Sequence, residues 1–302
     1  MSAERGFALS DYLAARKEMV DQALNHYLPR ADNYPPLIFE AVRYSLFAGG
    51  KRLRPILCLA SAEAAGGEIQ QVLPVACALE LIHTYSLIHD DLPAMDNDDV
   101  RRGRPTSHKV LGEAAAILAG DALLTEAFSL MSAGDRMGTI PADRLLWVIH
   151  DIAEAAGFWG MVGGQIADIQ SEGQAANQET LDYIHTRKTG AMILASVRSG
   201  AVLSGAPVED IEALSGYGRH IGLAFQIADD ILNVEGDHIV LGKDTGSDVK
   251  RGKMTFPALW GLDASRKKTA ELVESALFAI QGFNDRADPL RAIAHYIIER
   301  RS

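Results

Sequence analysis

Apolar residues recur every three to four positions through almost the whole chain, and runs that alternate as a half-buried strand would are nearly absent. Such a chain can bury its apolar stripes only against other helices, which makes an all-α fold the expectation. The pattern predicts helices at about 9–29, 36–49, 52–65, 69–91, 107–132, 141–157, 159–172, 178–204, 208–234, 254–281 and 286–300. Punctuation supports the breaks. Pro35-Pro36 opens the second helix, Gly66-Gly67 ends the third, and the stretch from Gly134 to Pro141 separates two more. No fixed-period repeat, low-complexity linker or composition shift divides the chain, so residues 1–302 are read as a single domain. Hydrophobic residues make up 48% of the 302, enough for a core larger than a four-helix bundle encloses.

Charge narrows the functional classes. Lys and Arg number 29 against 40 Asp and Glu, a formal net charge of −11, which is the wrong balance for nucleic acid. An acidic protein that handles a polyanion needs local basic clusters or bound cations. The two cysteines, Cys58 and Cys77, both sit in apolar helical runs and read as buried reduced thiols. The first twenty residues scatter charge and lack the apolar centre of a signal peptide. No stretch approaches ~20 uninterrupted apolar residues, so no membrane span and a cytoplasmic location are expected.

Two acidic clusters stand at the ends of long apolar helices. The first, HDDLPAMDNDD at 89–99, places Asp90 and Asp91 at a helix end, with Asp96 free to fold back beyond Pro93. The second is QIADDILN at 226–233. An ideal helix gathers its Gln226, Asp229, Asp230 and Asn233 within a sector of roughly 100°. Carboxylates stacked in this way repel one another, and at a helix C-terminus the dipole opposes them too. A cation must compensate. Oxygen donors without clustered Cys or His point to a hard ion such as magnesium. An exposed acidic helix end would account for one such cluster, but two are harder to explain that way.

Basic groups lie beside both clusters. GGKRLRP at 49–55 spaces Lys51 and Arg54 three residues apart, on one helix face. Arg101 and Arg102 follow the first acidic cluster directly, Lys188-Thr189-Gly190 breaks a long helix, and Lys243 and Lys253 flank the loop after the second cluster. Each alone reads as ordinary surface charge; together they supply phosphate donors next to the candidate metal ligands. His83, seven residues before Asp90, continues a polar stripe through Ser86 to Asp90.

In order, GGKRLRP, LIHTYSLIHDDLPAMDNDDVRRGRPT (81–106), GGQIADI (163–169), RKTG (187–190), FQIADDILN, LGKDTGSD and GKMTFP cover nearly the whole chain. This ordered set resembles the short-chain trans-prenyl diphosphate synthases, most of all the bacterial farnesyl diphosphate synthases. The resemblance implies an all-α fold around a deep central cavity, with isopentenyl diphosphate and allylic diphosphates as substrates, about three magnesium ions, and a homodimer. It implies metal contacts from Asp90, Asp91, Asp96, Asp229 and Asp230, with Asp229 the main ligand of the third ion. Lys51, Arg54, His83 and Arg102 would hold isopentenyl diphosphate. Arg101, Lys188, Thr189, Gln226, Lys243 and Lys253 would line the allylic diphosphate site, with Lys188, Thr189, Gln226 and Lys243 assisting catalysis. Tyr85, five residues before Asp90, and Ser86 would set product length. One position departs from the pattern: the second motif of these enzymes is usually Asp-Asp-x-x-Asp, and here its last residue is Asn233.

Competing readings are weaker. A terpene cyclase has no use for GGKRLRP. An HD-type phosphohydrolase needs a fuller His/Asp set and leaves 226–233 unexplained. A noncatalytic partner subunit would be expected to lack a motif, and both Asp pairs remain.

Overall fold

A computed structural model describes residues 7–175, 177–235 and 252–299. Fourteen α-helices carry these residues: α1 (Leu9–Tyr27), α2 (Pro36–Leu46), α3 (Leu53–Ala64), α4 (Ile69–Asp90), α5 (Ser107–Leu111), α6 (Glu113–Ser132), α7 (Ala142–Ala156), α8 (Met161–Ser171), α9 (Gln178–Ile184), α10 (Ala191–Leu203), α11 (Val208–Glu235), α12 (Phe256–Trp260), α13 (Leu262–Ala279) and α14 (Asp288–Glu299). A π-helical turn, His185–Gly190, joins α9 to α10.

The all-α expectation holds, and the punctuation acts where it should. Pro36 is the first residue of α2, and Gly66, at φ +79°, lets the chain turn off the end of α3. Three of the expected helices are broken. The 107–132 run divides at Gly112 (φ +87°) and the 254–281 run at Gly261 (φ +80°), left-handed positions that a continuing helix cannot include. The 178–204 run is interrupted by the π turn. The sequence reading also missed a two-stranded hairpin, β1 (Val100–Arg101) with β2 (Arg104–Pro105). Arg102 and Gly103 both have positive φ at its turn, the backbone of a tight type I′ connection.

α4 is apolar around its whole circumference and runs through the protein interior. It packs with α1, α2, α3, α6, α7 and α10 in one core cluster, while α3, α10, α11, α13 and α14 build a second. α3 and α10 serve both, pressed together where Gly200 has no room for a Cβ against the Cys58 carbonyl. Cys58 and Cys77 are buried free thiols as expected, and burial pushes Cys58 up to about 12.

Three segments are long and apolar enough to cross a membrane by length and composition: α4, α6 and the stretch 142–171 spanning α7 and α8. This modifies the expectation drawn from uninterrupted runs. The apolar stretch of α4 is 78% buried inside the protein, and that of α6 44%.

Candidate active site

The first acidic cluster forms because α4 stops at Asp90 and the chain doubles back, the Asp96 N–H donating to the Asp90 carbonyl at 2.8 Å. Asp91 caps the helix and is buried, its Oδ1 accepting from Nε of Arg101 at 2.6 Å, with Nη2 also 2.6 Å away. Burial raises the pKa of Asp90, and Asp96 adds to this; Lys188, Arg101 and Lys253 pull the other way. Burial and the like charge of Asp96 work against the ionised form of Asp90, and any further cation placed beside the two would favour it.

The hairpin divides its two arginines. Arg101 turns to Asp91, whereas Arg102 donates to the Gly49 carbonyl and lies against Gly50, where a Cβ would collide with the guanidinium. GGKRLRP thus meets the hairpin through a bare glycine. Arg52 anchors that loop. It holds a left-handed φ of +53° and is 2% exposed, and its guanidinium donates to Glu80 (2.8 Å), Asp21 (2.8 Å) and the Leu46 carbonyl (2.7 Å). Glu80 also attracts Arg54 and Arg102. His83 lies in this cationic field. Burial, then Arg54 and Arg102, push it well below the usual imidazole range, so it stands neutral. Lys51 precedes α3 and so does not share a helix face with Arg54, because the left-handed Arg52 starts the helix at Leu53; it is exposed, its ammonium 6.0 Å from the Tyr296 ring. Ser86 donates to the His83 carbonyl at 2.8 Å.

Across the site, Lys188 Nζ lies 2.6 Å from Asp168 Oδ2, and Lys253 Nζ lies 3.7 Å from that oxygen and 3.3 Å from Asp96 Oδ1. Lys253, just before α12, therefore ties α8 to the loop after α4. The π turn swings Lys188 toward α8, a local widening of the helix common at functional sites. Gly164 permits it, since a Cβ there would fall on the Lys188 backbone. Thr189 donates to Gln226 Oε1 at 2.7 Å, and Gln226 donates to Asp230 Oδ1 at 3.0 Å.

The adjacent aspartates of α11 diverge. Asp229 is exposed. Asp230 is 4% exposed and accepts from the Phe256 N–H at 3.1 Å, with His185 Nε2 3.3 Å away. His185 stacks on Phe256 with centroids 4.9 Å apart, and burial pushes it down to about 3. Asn233 lies half-buried on the same helix, and Lys243 falls outside the described residues.

Sequence reasoning singled out neither Asp168 nor the Arg52–Glu80–Asp21 network. Asp168 had a signal, an acidic residue inside the largely apolar GGQIADI. Arg52 had none, because its role follows from a backbone turn that spacing does not show.

Among the described residues, no three Asp, Glu, His or Cys side chains converge to enclose a metal. The donors nevertheless fit magnesium. Asp90, Asp96 and Asp229 offer only oxygen, and this ion is commonly bound by one or two carboxylates with substrate phosphate completing its shell.

Residues 35–294 match the family described as Polyprenyl synthetase. The chain belongs to that family. A geranylgeranyl diphosphate synthase from Cyanophora paradoxa is 50% identical over 298 residues, 98% of each chain. A farnesyl diphosphate synthase from Geobacillus stearothermophilus is 49% identical over 269 residues, 89% of this chain and 90% of that one. Among solved structures, an FPP/GFPP synthase from Zymomonas mobilis superposes with a TM-score of 0.85 at 37% identity, covering 96% of this chain and 98% of that one. This polyprenyl synthetase is a trans-prenyl diphosphate synthase, as its motifs implied.

Proposed function

We propose that this synthase condenses isopentenyl diphosphate with dimethylallyl and then geranyl diphosphate, giving trans,trans-farnesyl diphosphate and pyrophosphate. The observation that carries the reading is the arrangement of charge: carboxylates at Asp90, Asp96 and Asp229, with Lys188 and Lys253 meeting at Asp168 and Lys253 reaching Asp96. Arg54, neutral His83 and Arg102 form a separate donor group for the isopentenyl diphosphate, together with Lys51.

Magnesium bound to Asp90, Asp96 and Asp229, about three ions with substrate present, would neutralise charge on the departing pyrophosphate. Asp91 and Asp230 serve the same sites from behind, by holding Arg101 and Gln226. Lys188, Lys253, Arg101 and Lys243 stabilise pyrophosphate as the allylic carbon–oxygen bond breaks. The amide oxygen of Gln226 and carbonyls near Thr189 face the allylic cation. The isopentenyl double bond attacks that cation, and the released pyrophosphate takes the proton, so no side-chain base is required. The helical walls exclude water that would quench the cation.

The farnesyl product rests on Tyr85, a bulky ring one and a half turns before Asp90, read as the floor of the chain pocket. Geranylgeranyl diphosphate is the second reading, favoured by the Cyanophora relative and by small Ser86, which shares the Asp90 face of α4. Product-length analysis with dimethylallyl and geranyl diphosphate as separate starters decides between them. The same assay excludes a noncatalytic partner subunit, which would release no pyrophosphate alone. A cytoplasmic homodimer completes the proposal, with a second copy covering the exposed Ile117 and Leu118 of α6.

A further inference from the structure

Tyr85 and His89 stand one turn apart on the side of α4 that faces α6. Their rings meet edge to face, centroids 5.5 Å apart at 89°. His89 Nε2 lies 3.0 Å from the Ile117 carbonyl, which can only accept, so Nε2 carries the proton and donates. Asp121 Oδ1 is 3.8 Å from the same nitrogen. Beneath the imidazole lies Gly120, where any Cβ would collide with the ring. The imidazole is thus fixed by a carbonyl, a bare stretch of helix backbone and the tyrosine ring. Neither diphosphate group uses it.

We infer that His89, seated on Gly120, is a positioning residue for product length, because it fixes the Tyr85 ring in the place where the growing prenyl chain stops. This rests on the reading of Tyr85 as the pocket floor. An aromatic side chain turns about two bonds, and the loss of a ring packed against it removes one of the contacts that hold it in place under an apolar chain. The ring's bulk alone does not make a sharp stop; its fixed orientation does.

The test measures product-length distributions of the full chain with magnesium, isopentenyl diphosphate and geranyl diphosphate. Wild type is compared with Tyr85→Ala, His89→Ala and the double variant. His89→Ala should raise the ratio of longer to wild-type-length product about two- to tenfold, the factor a ring pair of this kind is worth. The double variant should match Tyr85→Ala alone, because His89 acts through Tyr85. If His89→Ala fails to fold, Gly120→Ala probes the same seat from α6 and should also shift the distribution, with no added effect on Tyr85→Ala. Failure is separable by level. A wild type that releases no pyrophosphate overturns the proposed activity, and this inference with it. An active Tyr85→Ala with unchanged products overturns the floor. A Tyr85→Ala shift with His89→Ala and Gly120→Ala both at the wild-type distribution, or with additive effects in the double variant, overturns the positioning role alone.

Discussion

Asp229 and Asp230 are neighbours in sequence with opposite surroundings, and substitutions should separate them. Asp229 is exposed and is proposed as a magnesium ligand, so Asp229→Ala should lower kcat about 100-fold or more while leaving the unfolding midpoint near wild type. Asp230 accepts the buried Phe256 N–H, and Asp230→Ala leaves that donor without its acceptor, at about 1–3 kcal/mol of stability in urea unfolding. Equal loss of stability in both variants would contradict the division. His83 gives a pH test. Its folded pKa lies well below 6.5, with Arg54, Arg102, Arg101 and Arg52 facing it, so between the two pKa values the unfolded chain binds the extra proton. The contribution of neutral His83 is therefore complete above pH 6.5 and is lost as pH falls below it, by up to about 1.4 kcal/mol per pH unit. His83→Gln should unfold with a flatter pH dependence between pH 7.5 and 5.5; an unchanged slope would show that His83 is not the group responsible. The aspartate pairs were legible because clustered charge on an apolar helix needs a cause. Which member of each pair faces outward was not legible, since that depends on Arg101 and on the Phe256 backbone, distant in sequence from their partners.

At the scale of elements, the π turn aims Lys188, and its contact with α8 depends on one missing Cβ. Gly164→Ala should force α8 and the turn apart and misplace the Lys188 ammonium, lowering kcat about 100-fold as a displacement on the order of 1 Å can. The check is steady-state kinetics beside a thermal melt. Normal turnover in the variant would mean that the turn accommodates a methyl group and that Lys188 placement is not set there. Helix order followed from apolar periodicity, because a buried stripe has no substitute in sequence, but helix number did not: eleven expected runs became fourteen helices among the described residues. The interruptions were hidden for different reasons. Gly112 and Gly261 sit inside patterns that remain periodic on both sides, and only their left-handed φ ends the helix. Lys188-Thr189-Gly190 marks the break before α10, but nothing in its composition shows that the turn is a π turn. The hairpin at 100–105 is too short for alternation to register, yet it is what sends Arg101 and Arg102 to different partners.

For the whole molecule, the unresolved balance is apolar surface. α6 has the length and apolarity of a membrane span, yet less than half of that stretch is buried, and Leu118 is 58% exposed beside Ile117 at 43%. A monomeric soluble protein rarely leaves contiguous apolar surface uncovered. Two occupants fit this chemistry: a bilayer or a second copy. The net charge of −11 argues against an anionic bilayer surface, which attracts basic segments instead. A second copy supplies the same helix, and two apolar stripes can cover each other about a twofold axis. Light scattering on the purified chain should therefore give about twice the 32.6 kDa monomer mass. Leu118→Glu places a charge in that contact and should shift the mass toward that of one chain at micromolar concentration, because a buried carboxylate without a partner is costly. Vesicle flotation of the wild type separates the alternatives: the chain should stay with the protein fraction. A monomeric wild type, or a Leu118→Glu variant that remains a dimer, would remove α6 as the contact, and a wild type that floats with neutral vesicles would assign that face to lipid.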